Sequence, residues 1–203
     1  MKNARFLFAA ICLSLAFTSA KATSVIPPTF DELVAQAQLI FQGSVTDVKS
    51  QWTGEGGQRH IVTYVTFKVE EPMKGDPGAS YTLRMLGGTV DGQTMEVSDS
   101  PKFKVGDHDI VFVENNGTQF IPLVGIMHGR FQVRQDKETG AELVLGDHGQ
   151  AIKDVAQLGK EEHAAHGDSK GETKEAEAAT SAQTLRAADF KAAIKAKLGK
   201  AAK

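Results

Sequence analysis

Alternation of apolar and polar positions dominates the chain from Gln38 to Asp147, and almost no helical period interrupts it. IVTYVTFKVEE (61–71) is the clearest case. Ile61, Val65, Phe67 and Val69 fall on one side and Tyr64, Thr66 and Lys68 on the other, as a strand with one buried face requires. LIFQGSVTDVKSQW (39–52) has the same period, with Phe41, Gly43 and Val45 opposed to Ile40, Ser44 and Thr46. A glycine inside such a run predicts a bulge or a sharp bend at Gly43. SYTLRMLG (80–87), DIVFVEN (109–115), GRFQVRQD (129–136) and AELVLGD (141–147) predict further strands. Turn chemistry separates them. PMKGDPGA blocks both helix and ladder, Asp91-Gly92 and the KETG segment predict hairpins, and Asn115-Asn116-Gly117 predicts another onto TQFIPLVG.

Six or seven strands at this spacing predict an all-β fold, a small antiparallel barrel or sandwich. A barrel interior would take Val45, Val65, Phe67, Leu83, Val111, Val113 and Phe131. Helical signals flank this body. TFDELVAQAQ opens with a capping box, Thr29 with Glu32, and predicts a short N-terminal helix. TLRAADFKAAIKAKLG (184–199) carries an apolar stripe of Ala187, Phe190, Ile194 and Leu198, with Gly199 at its end. The stretch between, KEEHAAHGDSKGETKEAEAATSAQ, has no aromatic residue, Val, Ile or Leu. It cannot bury enough to offset its ordering entropy, so the tail is expected to be flexible and only partly helical.

The first residues, MKNARFLFAAICLSLAFTSAKAT, read as a secretory signal peptide: Lys2 and Arg5, an apolar run from Phe6 to Phe17, then Ala20-Lys21-Ala22. The apolar run is shorter than the roughly 20 residues that span hydrocarbon, so no stable membrane anchor is expected after cleavage. The organisation predicted is a signal peptide over 1–22, a β-barrel domain over 23–150, a linker over 151–183 whose AIKDVAQLG could dock, and an amphipathic helix over 184–199. The location predicted is the periplasm or the cell exterior. Cys12, inside the apolar run, is the one cysteine. The mature chain would therefore have no disulfide, thiol nucleophile or cysteine metal site.

Charge narrows the partners. Residues 23–150 hold ten basic against seventeen acidic residues, which argues against nucleic acid, whose binders cluster basic side chains. Residues 151–203 hold ten basic against eight acidic, the last of them forming a short basic helix. Candidate chemistry is sparse. His163 and His166 in EEHAAHGD are three apart with no glutamate between them, so they lack the zincin pattern and read as solvated polar residues. Asp107-His108-Asp109 could tune a histidine, but neighbours in a strand point to opposite faces, and a surface reading is expected. His60, His128 and His148 fall at strand ends or turns and would bind zinc only by meeting at one barrel mouth. Trp52 beside a Gly-rich loop reads as packing over a barrel end, and Leu86-Gly87-Gly88-Thr89 as a bend. No nucleophile elbow, P-loop, dinucleotide fingerprint or EF-hand occurs, and no cofactor is implied.

Taken together, AQLIFQGSVTDVKSQW, IVTYVTFKVEEPMKGD, PKFKVGDHDIVFVEN and GIMHGRFQVRQD resemble a group of exported bacterial proteins. These pair a strand ending in V-E-x-x-x-K-G with a later F-x-x-G-D-x-x-I-V-F-V strand. The first half is also similar to the OB-like barrels of the netrin/tissue-inhibitor-of-metalloproteinase type, and the resemblance covers about residues 30–147. It implies an OB-like fold and an extracytoplasmic, non-catalytic binding or accessory role, with a protein partner such as a protease. The chain lacks the N-terminal cysteine with which those inhibitors chelate zinc, and no functional residue carries over. The alternative is a metal-dependent hydrolase or metal-binding protein using scattered His and Asp residues, His60, Asp107, His108, His128 and His148 before His163 and His166.

Overall fold

A computed structural model describes residues 26–160 and 183–201. The segment predicted to be a signal peptide, His163 and His166 lie outside the described residues. Two helices flank eight strands: α1 (Phe30–Gln36), β1 (Leu39–Thr53), β2 (His60–Lys74), β3 (Ser80–Leu86), β4 (Gly88–Val90), β5 (Gln93–Met95), β6 (His108–Val113), β7 (Arg130–Gln135), β8 (Glu142–Leu145) and α2 (Ala187–Ala201). Six strands form one antiparallel sheet in the order β3-β2-β1-β6-β7-β8, and β4-β5 form a separate hairpin around Asp91-Gly92. No helix among the described residues is long and apolar enough to cross a membrane.

The predicted strands are present with small shifts at their ends. The helix cap forms as its residues require: the Thr29 amide donates to Glu32 Oε2 at 2.8 Å and the Glu32 amide to Thr29 Oγ1 at 3.3 Å. β1 bends, with register shifts at Ile40/Phe41, Gln42/Gly43 and Val45/Asp47. A Cβ on Gly43 would stand 2.5 Å from the Lys68 carbonyl oxygen, so the bend needs glycine there. β2 runs on through Pro72, where turn chemistry predicts a break. Its ladder to β3 has already ended at Lys68↔Ser80, so the missing proline amide costs no bond on that side. The hairpin predicted after Asn115 shrinks to an isolated bridge, Val113↔Leu123.

The closed barrel does not form: among the described residues no ladder joins β3 to β8. Each edge is occupied by irregular chain instead. The Asn116 side chain accepts from the Arg84 amide at 2.9 Å and donates to the Thr82 carbonyl at 2.8 Å, so one amide stands in for a neighbouring strand along β3. Phe120 extends the cover, its carbonyl accepting from the Leu86 amide at 2.7 Å. At the other edge, bridges Leu143↔Arg186 and Leu145↔Ala151 cover β8. Edges partly blunted this way offer no continuous row of groups to pair with each other.

Apolar residues fill both faces of the sheet. On one, Phe41, Val45, Val65, Phe67, Leu83, Val111 and Val113 pack with Phe103 and Leu123 from connecting segments. On the other, Ile40, Ile110, Phe112, Phe131, Val133 and Val144 meet Leu33 and Val34 of α1 and Phe190 and Ile194 of α2. Six of the seven expected interior residues share the first cluster. Phe131 belongs to the second, because it pairs with Ile110 and stacks at 4.8 Å on Phe190. The stripe on α2 thus docks on the chain's own sheet, fastened at its rim by Lys191 and Lys195 to Glu71 and by Lys197 to Asp31. Residues 151–160, placed in the predicted linker, also pack: Ile152 is buried, and Gly159 lies so close to Thr29 that a Cβ would stand 2.7 Å from its backbone.

Candidate functional site

Strand parity delivers the first part of the site. Asp107 and Asp109 are two apart and so point to one face, while His108 points to the other. β7 starts with Arg130, paired to Val111, which sets its side chain on the same face as Asp109. Its guanidinium donates to Asp107 Oδ2 at 2.7 Å, Asp109 Oδ2 at 3.1 Å, Asp147 Oδ1 at 3.2 Å and the Lys102 carbonyl at 2.9 Å. It also lies 4.1 Å over the Phe103 ring, which tops the first apolar cluster. Asp109 is fully buried, which overturns the surface reading of Asp107-His108-Asp109. Burial pushes its carboxyl from 3.8 up to about 6, against the pull of Arg130. Asp147 is also raised by burial, with Arg130 opposing. Burial disfavours the charge on Arg130, but the surrounding carboxylates outweigh it and hold the guanidinium above its ordinary value. Two buried atoms of the network, Asp109 Oδ1 and Arg130 Nε, have no hydrogen-bond partner.

Beside this network opens a cleft of about 280 Å³. Pro27 and Pro28 before α1, the turn Ile126–Gly129, the Gly146–Ile152 segment and residues 157–160 enclose it. Its walls include the apolar Leu33, Met127, Phe131, Ile152 and Leu158, and its polar groups include His128, Arg130, Asp147, His148 and Lys160. His128 is half-buried, and burial together with His148 lowers its pKa, so it is neutral at physiological pH. His148 is exposed, with Nε2 3.1 Å from Met127 Sδ.

Of the predicted metal candidates among the described residues, only His128 and His148 line the same cleft. His60 sits beside Thr53 at the far end of β1, its Nδ1 3.0 Å from the Gln58 carbonyl. His108 lies across from Ser44, with Nε2 2.7 Å from Glu70 and 2.8 Å from Gln42 Nε2. Burial alone would raise Glu70, but the Ser44 hydroxyl and His108 hold it below its usual value. Among the described residues no group of three or more His, Cys, Asp or Glu side chains could hold a metal ion. Trp52 is half-buried under the Arg59 guanidinium, 4.7 Å from the ring centre. Sequence reasoning missed Arg130, Asp147 and Met127. An arginine opening β7, with two aspartates two apart at the start of β6, was the available signal for the network. No protein-family model, curated protein or solved structure matches the chain.

Proposed function

We propose that this protein is an exported, non-catalytic binding module of OB-like type, and that it holds an extracytoplasmic protein partner through the cleft beside Arg130. One observation carries the reading: apolar walls and a few oriented polar groups with shifted proton affinities converge in a single concavity, the usual character of a ligand site. The cleft has room for one or two side chains of a partner rather than for a large cofactor. Its charged lining is mixed, Asp147 paired with Arg130 and Lys160 nearby, so the apolar walls set its preference, which is for an apolar side chain. The sequence resemblance to exported OB-like proteins and the signal-like first 22 residues support the extracytoplasmic part of the proposal.

Peptides selected on the wild-type protein by display would test it. Such peptides should carry an apolar anchor and lose at least tenfold in affinity on Leu158→Trp, which fills the cleft. Equal binding to a Leu158→Trp protein of unchanged melting temperature would refute the cleft as the site.

A further inference from the structure

We propose that Met127, His128 and His148 form a Cu(I) site at the mouth of this cleft; the proposal rests on the cleft reading above. Met127 belongs to the turn before β7 and His148 to the turn after β8, yet Sδ and Nε2 meet at 3.1 Å. His128 lines the same cleft, one residue from Met127. A thioether is a poor ligand for hard cations and a good one for soft monovalent copper, and imidazole is compatible with both. A sulfur and two imidazoles therefore select Cu(I), a choice that His, Asp and Glu alone would not make.

The simpler explanation of the short contact is a weak N–H···S hydrogen bond from His148 to Met127. That bond needs the His148 proton on Nε2, whereas copper needs it on Nδ1. Binding then moves one proton within the ring and transfers no electron.

The test uses the purified protein with Cys12 removed by processing or replaced as Cys12→Ser, and with His163→Ala and His166→Ala to eliminate the tail pair. Cu(I), supplied anaerobically, is competed against bicinchoninate, and X-ray absorption reads the ligands. One equivalent should bind through both sulfur and nitrogen. Met127→Leu and His148→Ala should each weaken it at least tenfold without changing the melting temperature. Wild-type affinity in Met127→Leu, no stoichiometric binding, or a copper shell without sulfur would overturn the site. Peptide binding without copper binding would defeat this inference alone, and loss of both on the wild-type protein would defeat the cleft reading as well.

Discussion

Replacing Arg130 with Met keeps most of the side-chain volume and deletes the charge that three carboxylates share. Four hydrogen bonds vanish with it, to Asp107, Asp109, Asp147 and the Lys102 carbonyl. Asp109 decides the magnitude because it is fully buried and cannot turn to water. Removing one partner of a buried ion pair costs about 3–5 kcal/mol, most of it from the charge left behind. We expect that loss at pH 7 in urea denaturation. The pH dependence distinguishes this cause from lost packing. In the wild type the folded pKa of Asp109, about 6, lies above its ordinary 3.8, so this group takes up a proton on folding between those values. Its shift alone withdraws roughly 3 kcal/mol of stability as pH rises through that window. Without Arg130 the folded pKa climbs further and the window extends past pH 6. The deficit of Arg130→Met should therefore be largest at pH 7 and shrink toward pH 4, where Asp109 is protonated in both proteins. Adding Asp109→Asn to Arg130→Met should recover part of the loss at pH 7. A deficit below about 1 kcal/mol, or one of the same size at pH 4 and pH 7, would refute the reasoning.

Three further outcomes are expected. Phe67→Ala should cost about 3–5 kcal/mol in thermal or urea unfolding, since Phe67 is fully buried and meets Phe41 and Phe103 edge-on; unchanged stability would mean the face is misassigned. Asn116→Ala uncovers the Arg84 amide and Thr82 carbonyl on β3, so we expect roughly 1–3 kcal/mol of destabilisation and concentration-dependent association in sedimentation. A monomer of wild-type stability would show that water replaces the plug without cost. Intact mass of the protein from its native host should begin at Thr23, and a mass retaining Met1 to Ala22 would contradict export by cleavage.

The local rules were legible in the sequence because each depends on a few neighbouring residues. Period-two alternation marked the six sheet strands, Asp91-Gly92 its hairpin, Thr29 with Glu32 the cap of α1, and Phe190 with Ile194 the buried stripe of α2. Parity also separated His108 from Asp107 and Asp109. What alternation cannot say is which of two buried faces a residue joins. β6 is buried on both sides from Asp109 to Val113, so Phe131 took its face from pairing with Ile110, a contact made only on folding. Whether the sheet closes also depended on distant chain, since Asn116 and residues 185–186 took the edges that a barrel would have joined. The candidate site is non-local in the same way. Arg130, Asp147 and His148 have no shared motif, and strand order alone brings the turns before β7 and after β8 to one cleft.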